Sequence, residues 1–218
     1  MPTQNEIPSP PDPPQTLPPK VIGVTGGIGT GKSTFATLLA SFGGTHLDGD
    51  QLAREVTAPG SRLLKHIEAH FGREVIDGEG RLDRARLGAL VFSERQRLRE
   101  LEAMLHPAIA SAARAVIAAA QGIIIYEATL LFEAEQAALC DITIALSSPQ
   151  PLVIARVTSR DGFTGDQVQA RIDAQNRDSY RVARAHITVN NDGSLHDLTL
   201  KARRVWDDLS AGLYMPRY

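Results

Sequence analysis

The sequence predicts an α/β fold in which a mostly parallel five-stranded sheet is flanked by helices and carries a helical insertion. Three observations predict it. Short apolar runs recur as KVIGVT, GIIIYE, DITIAL and HITV, the first rich in β-branched residues as a strand buried on both faces requires, and THLDGD reads as a further short strand. Helical or loop sequence separates each run from the next, which favours crossover connections and parallel pairing over hairpins. A glycine-rich stretch at residues 26–33 lies directly between the first strand and the first helix, at the sheet edge where open α/β folds bind ligands.

In chain order, KVIGVT opens the sheet and KSTFATLLASFG follows with helical spacing that turns Phe35, Leu38, Leu39 and Phe42 inward. THLDGD is a second strand ending in two acids. From there to about residue 121 the pattern is helical, with Leu63, Leu64, Ile67 and Phe71 on one helix, Leu87, Leu90 and Val91 on another, and Leu98, Leu101, Met104 and Leu105 on a third. DGEG at residues 77–80 is a turn, and Asp83 and Ser93 are placed to cap helices. After GIIIYE and DITIAL, a helix bearing Leu152, Val153 and Val157 runs into SRDGFTG, whose glycines break it. Thr164 with Gln167, and Ser194 with Asp197, have capping-box spacing; the second opens a C-terminal helix with the stripe Leu195, Leu198, Ala202, Val205 and Leu209.

The chain has 218 residues, 43% of them hydrophobic, enough for one core with elaborations. We expect one folding unit over residues 20–210. Residues 1–19 hold most of the 13 prolines and read as a disordered or polyproline-like tail; residues 211–218 are a short C-terminal tail. A net charge of −2 gives no general attraction to nucleic acid or an anionic membrane. The single cysteine, Cys140, excludes an internal disulfide framework and suits a small apolar position beside a strand. Without a signal-like N-terminus or an apolar run of spanning length, the expected location is the cytoplasm.

The stretch GGIGTGKS matches G-x-x-x-x-G-K-S/T in its required strand-to-helix context. Glycines let backbone N–H groups close on phosphate oxygens, and the helix N-terminus adds its dipole. Gly27, Ile28, Gly29, Thr30, Gly31 and Thr34 would therefore surround the phosphates, with Lys32 on the β- and γ-phosphates and Ser33 on Mg²⁺. This fixes a nucleoside triphosphate, not its reaction. A kinase and a nucleotide switch both remain open. The guanine-reading N-K-x-D element is missing; the turn after HITV, with Asn190 and Asn191, can instead line a nucleobase or simply reverse the chain. Glu127, ending GIIIYE, leaves room for an ATPase-like metal or water-orienting role.

Asp48 and Asp50 lie two apart at the end of the second strand, so both can face the ligand edge. Phosphoryl transfer to a hydroxyl needs a carboxylate beside the acceptor oxygen; DGD is also ordinary turn chemistry. Arg156 and Arg160 share a helix face, and Arg177, Arg181 and Arg184 follow the glycine break. Together they suit a lid that screens charge on the transferring phosphoryl group and excludes water.

With these motifs in order, the chain is similar to dephospho-CoA kinases from about residue 20 to 209. The resemblance rests on GVTGGIGTGKST, DGDQLAREVTAPG, LHPAI, LLFE, RVTSRDG and NNDGS. It implies a P-loop nucleoside-triphosphate-binding fold, ATP and Mg²⁺, and transfer of the γ-phosphoryl group to the ribose 3′-hydroxyl of dephospho-CoA. By matching position it implies that Asp50, Lys32 and Arg160 are catalytic, that Arg160 and Asn191 join the loop in binding ATP, and that Thr25, Asp48, Asp50, Arg54, His106 and Leu130 face the acceptor. Thr25 also matches a position near the triphosphate, and His106 supports packing on the acceptor side. Residues 56–121 correspond to an acceptor-binding domain and residues 156–184 to the lid. The chain departs from the family pattern at Gly49, where alanine is usual and a looser backbone is expected, at Thr129 for proline, at Asn190 for aspartate and at His186 for an acid.

Overall fold

Strands β1 (Val21–Gly26), β2 (Thr45–Asp48), β3 (Ile124–Glu127), β4 (Ile142–Ser147) and β5 (Ile187–Asn190) lie side by side in the order β2-β3-β1-β4-β5. The computed structural model that shows this describes residues 20–213, so residues 1–19 and 214–218, both expected to be tails, lie outside the described residues. Every pairing is parallel, which tightens the expected mostly parallel sheet to a wholly parallel one. β1 is central and buries all six of its residues, as a strand covered by helices on both sides must. In register, Val24 pairs with Glu127, Asp48 pairs with Glu127 and Gly26 pairs with Leu146. The phosphate loop and the ends of β2, β3 and β4 therefore emerge at one edge, where the chain turns from one half of the sheet to the other.

Helices α1 (Lys32–Ser41) and α9 (Leu195–Ser210) cover one face. Phe35 and Leu39 are fully buried there with Ile22, Val24, Ile144 and Leu198, while Leu38 and Phe42 pack at the margin. In α9 the expected stripe shifts: Leu195, in the first turn, is 64% exposed, and Trp206 is buried in its stead. The indole lies over the backbone of Gly43 and Gly44, where a Cβ would stand 3.2 to 3.3 Å from the ring.

The other face carries α2 (Gly49–Val56) and α5 (Arg95–Ala119). Leu52, Ile109 and Ala113 pack on Val21, Ile124 and Tyr126 of the sheet. The N-terminal half of α5 joins α3 (Arg62–Phe71) and α4 (Arg84–Phe92) around Leu64, Ile67, Phe71, Leu87 and Val91. Among the described residues α5 is long and apolar enough to cross a membrane by length and composition. Its Leu101 lies in one core cluster and its Ile109 and Ala113 in another, so the helix joins the two cores. Beyond β4, α6 (Gln150–Asp161) and α7 (Gly165–Asp173) enclose Val153, Val157 and Val168, and a short α8 (Asp178–Val182) leads to β5.

The caps agree with the sequence apart from one correction. Asp83 accepts from the N–H groups of Ala85 and Arg86, and both capping boxes form. Ser93 does not start α5. It closes α4 in helical conformation, with its hydroxyl donating back to the Leu90 carbonyl at 2.8 Å, as a serine three residues past a free carbonyl can.

Cys140 stands against Gly23, where a Cβ would lie 2.6 Å from its sulfur. Burial, with the Asp141 charge second, pushes its thiol up to about 12. Little thiolate then exists at pH 8. The folded protein should resist iodoacetamide at that pH and react only on unfolding in guanidinium; rapid alkylation of the native protein would contradict this packing.

Candidate active site

The loop between β1 and α1 takes its shape from glycines at two points. Gly29 and Gly31 have φ of +69° and +91°, values that a side chain would strain. A Cβ on Gly29 would stand 2.6 Å from Val157 Cγ2, and one on Gly31 would overlap the Asn191 amide. Gly31 is also the N-cap of α1 and supplies no side-chain acceptor, so the first amides of that helix face the loop's interior, the arrangement that binds phosphate.

Side-chain amides hold this loop from behind. Ile28 N–H donates to Gln175 Oε1 at 2.9 Å, and Asn191 Nδ2 donates to the Thr30 carbonyl at 2.9 Å. The buried Asn191 also receives Arg156: Nη1 donates to its carbonyl at 3.1 Å and Nη2 to its Oδ1 at 3.4 Å. Asn191 thus supports the nucleotide loop, and its amide is spent on protein.

The five arginines expected on a lid divide by role. Arg156 is fixed by Asn191, Ser148 and Gly193. Arg181 is 1% exposed and pairs with Glu133 at 2.9 Å, a structural tie between α8 and the loop after β3. Arg184 stacks on Tyr180 with 3.7 Å to the ring centre. Arg177 lines a cavity of about 520 Å³ with Gly27, Ile28 and Asp178. Together with the anchored Arg156, Arg160 lines a cavity of about 190 Å³ that Lys32, Ser33 and Thr34 also border. Arg160 is bound to Asp161 at 2.7 Å with its side chain 66% exposed; a pair so exposed is weak and yields readily to a phosphate.

Ser33 Oγ donates to Glu127 Oε1 at 2.5 Å, and the other Glu127 oxygen meets His46 Nε2 at 3.0 Å. The hydroxyl and carboxylate beside a phosphate cradle are hard oxygen donors of the kind Mg²⁺ takes, so the residues present fit that ion. Glu127 belongs to the site although the motifs alone left its role open. The strand-terminal acid was the available signal; its register beside Ser33 was not.

Asp48 and Asp50 do not share a strand face. β2 ends at Asp48, whose Oδ1 accepts from Asp50 N at 2.8 Å and Gln51 N at 3.3 Å, capping α2. Asp50 lies exposed in the first turn of that helix, where the dipole favours a carboxylate. Gly49 is needed for closeness rather than looseness: its φ is not positive, and a Cβ would stand 2.9 Å from the Glu127 carbonyl. Thr25 is fully buried and donates to the Thr129 carbonyl at 3.1 Å, so it positions the loop after β3 instead of touching a ligand. Leu130 on that loop is 44% exposed, Arg54 is exposed on α2, and His106 is half-buried on α5. Of the other departures, His186 Nδ1 accepts from Thr143 N at 3.0 Å, joining β5 to β4, and the Asn190 carbonyl accepts from Lys201.

A wholly parallel sheet, a phosphate loop backed by Glu127 and an exposed acid at the same edge define a P-loop kinase. The dephospho-CoA kinase family model matches residues 20–197. Dephospho-CoA kinase of Thermobifida fusca is 40% identical over 195 residues, spanning 88% of this chain and 98% of the relative. That of Anaeromyxobacter dehalogenans is 42% identical over 197 residues, 88% of this chain and 93% of the relative. A Thermus thermophilus crystal structure superposes with a TM-score of 0.77 at 34% identity, covering 89% of this chain and 99% of that one. The chain belongs to the dephospho-CoA kinase family.

Asn191→Ala removes the Thr30 contact and leaves a buried carbonyl unpaired, at a cost of about 1–3 kcal/mol. ATP affinity measured by calorimetric titration should fall about tenfold with circular dichroism unchanged. Unaltered affinity would remove Asn191 from the support of the loop.

Proposed function

We propose that this protein transfers the γ-phosphoryl group of ATP to the ribose 3′-hydroxyl of dephospho-CoA, yielding coenzyme A and ADP, with Asp50 as the group that receives the hydroxyl proton. The observation that carries this assignment is the place of Asp50: exposed at the start of α2, one residue beyond a glycine packed on the Glu127 carbonyl, at the edge where the phosphate loop opens.

The acceptor oxygen forms a bond to the γ-phosphorus as the bond to the β-phosphate bridging oxygen breaks, and the proton passes to the Asp50 carboxylate. Backbone N–H groups of Gly29 and residues 31–34 hold the phosphates, the Ile28 N–H being held by Gln175, and Lys32 neutralises charge on the β- and γ-phosphates. Arg160 leaves Asp161 to screen the transferring group, while α6 and α7 close as a lid and exclude water. Ser33, with Glu127 behind it, would hold Mg²⁺, which when bound draws charge from the β- and γ-phosphate oxygens. Asp48 keeps α2, and so Asp50, in place. The helical segment of residues 56–121 is the acceptor side; His106 supports its packing, Leu130 and Arg54 border the acceptor, and Thr25 acts through Thr129. ATP and dephospho-CoA are the partners we assign, in the cytoplasm.

Purified protein with Mg-ATP should release ADP in proportion to added dephospho-CoA, with CoA as product. Hydrolysis of ATP at the same rate without acceptor would instead indicate a nucleotide switch. Asp50→Asn should lower kcat by about 10²–10⁴-fold, the usual worth of a positioned base, and leave the ATP dissociation constant within about twofold. A variant with normal kcat would clear Asp50 of this role.

A further inference from the structure

Thr57 is 3% exposed at the end of α2, and its hydroxyl donates to the Ala53 carbonyl at 2.7 Å. The Arg84 Nη2 group, from the first turn of α4, donates to that same hydroxyl oxygen at 2.8 Å and to the Ala53 carbonyl at 3.3 Å. One amino group of Arg84 is therefore tied to the carboxyl end of α2 by neutral acceptors, which fixes the guanidinium fork. Among the described residues neither Arg84 nor Arg54 has a carboxylate within ion-pair distance. Burial, and then the Arg54 charge, hold the Arg84 guanidinium below the usual arginine range, with Asp50 pulling the other way.

Arg84 reaches the carbonyl of Ala53, the residue before Arg54, so two arginines meet at the carboxyl end of α2 with no carboxylate paired to either, and a bound anion would offset their like charge. Their direction is set by α2. Asp50 and Arg54 are four apart and share a face, and Thr57, seven beyond Asp50, returns to it. At 1.5 Å per residue the arginines lie about 6–10 Å along the helix from Asp50. That separation is comparable with the reach from a ribose 3′-hydroxyl across the sugar to phosphates carried on its 5′-carbon. A planar guanidinium pair suits the paired oxygens of a diphosphate.

We propose that Arg54 and Arg84 form the anion site for the 5′-diphosphate arm of the acceptor, holding its 3′-hydroxyl at Asp50. The site makes α2 a ruler with a base at one end and an anion clamp at the other. Arg84 comes from the helical segment between β2 and β3, so the clamp couples the packing of α4 against α2 to acceptor recognition. This inference rests on dephospho-CoA as the acceptor.

The test is a comparison of wild type, Arg84→Ala and Arg84→Lys. Arg84→Ala should raise KM for dephospho-CoA by about ten- to a hundredfold, the worth of a charge-assisted hydrogen bond, with KM for ATP within about twofold. Adenosine, which lacks the diphosphate, is then used as a competitor of dephospho-CoA at saturating ATP; its inhibition constant should be the same in wild type and Arg84→Ala. Arg84→Lys, which keeps the charge and loses the fork, should recover part of the KM. Thermal melting of each variant reports the fold. An unchanged KM for dephospho-CoA, or equal losses for adenosine, dephospho-CoA and ATP, would overturn the clamp. Loss of affinity in Arg84→Ala that tracks melting, with Arg84→Lys folded but no better than Arg84→Ala, would do the same. Wild type that makes no CoA would overturn the acceptor assignment itself, and the clamp with it.

Discussion

A phosphate loop turns its N–H groups outward to the ligand and so cannot satisfy itself; something must hold its carbonyls and its curve from behind. Here two side-chain amides do so, Asn191 on the Thr30 carbonyl and Gln175 on the Ile28 N–H. Each comes from beyond β4. Asn191 lies just past β5, and Gln175 just past α7. The loop's shape therefore depends on the far half of the sheet being folded, and Arg156 adds α6 to the same assembly through Asn191. In the proposed mechanism the lid is thereby built onto the segment that shapes the nucleotide site, and α6 and α7 would close about that anchor.

The parallel sheet supplies the second half of the design. Its register sets Asp48, Glu127 and the loop at one edge, and their side chains diverge in function because the two strands lead into different structures. After β2 a glycine packed on β3 starts a helix at once, so Asp48 becomes a cap and Asp50 faces outward. After β3 the chain continues as a loop, and Glu127 stays buried beside Ser33 and His46. In the proposed reaction Glu127 would serve the nucleotide side and Asp50 the acceptor, and their separation would keep the base for the hydroxyl clear of a second carboxylate that would favour its protonated form.

The five strands, the loop and the capping boxes were legible because each depends on neighbours within a few residues: periodicity, glycine placement and a hydroxyl three residues before its partner. Features that depend on distant contacts were not. Arg156 and Arg160 share a helix face by spacing, yet only the 35-residue reach to Asn191 separates a structural arginine from an exposed one. Arg181 is indistinguishable from its neighbours until Glu133, 48 residues away, removes it from solvent. Two-residue spacing suggested a shared strand face for Asp48 and Asp50, and the abrupt start of α2 at Gly49 broke that pattern. Trp206 needed the bare backbone of Gly43 and Gly44 to be seen as core. Arg84 lies in no motif; its contacts with Ala53 and Thr57 make it visible.

The central claim, that Asp50 meets the acceptor hydroxyl at this edge, is tested most directly by a crystal structure of the protein with dephospho-CoA and a non-hydrolysable ATP analogue. The account predicts the ribose 3′-oxygen about 2.6–3.2 Å from an Asp50 carboxylate oxygen and facing the γ-phosphorus in line with its bridging oxygen. A 3′-oxygen bound beside Glu127, with the Asp50 side chain left in solvent, would contradict it.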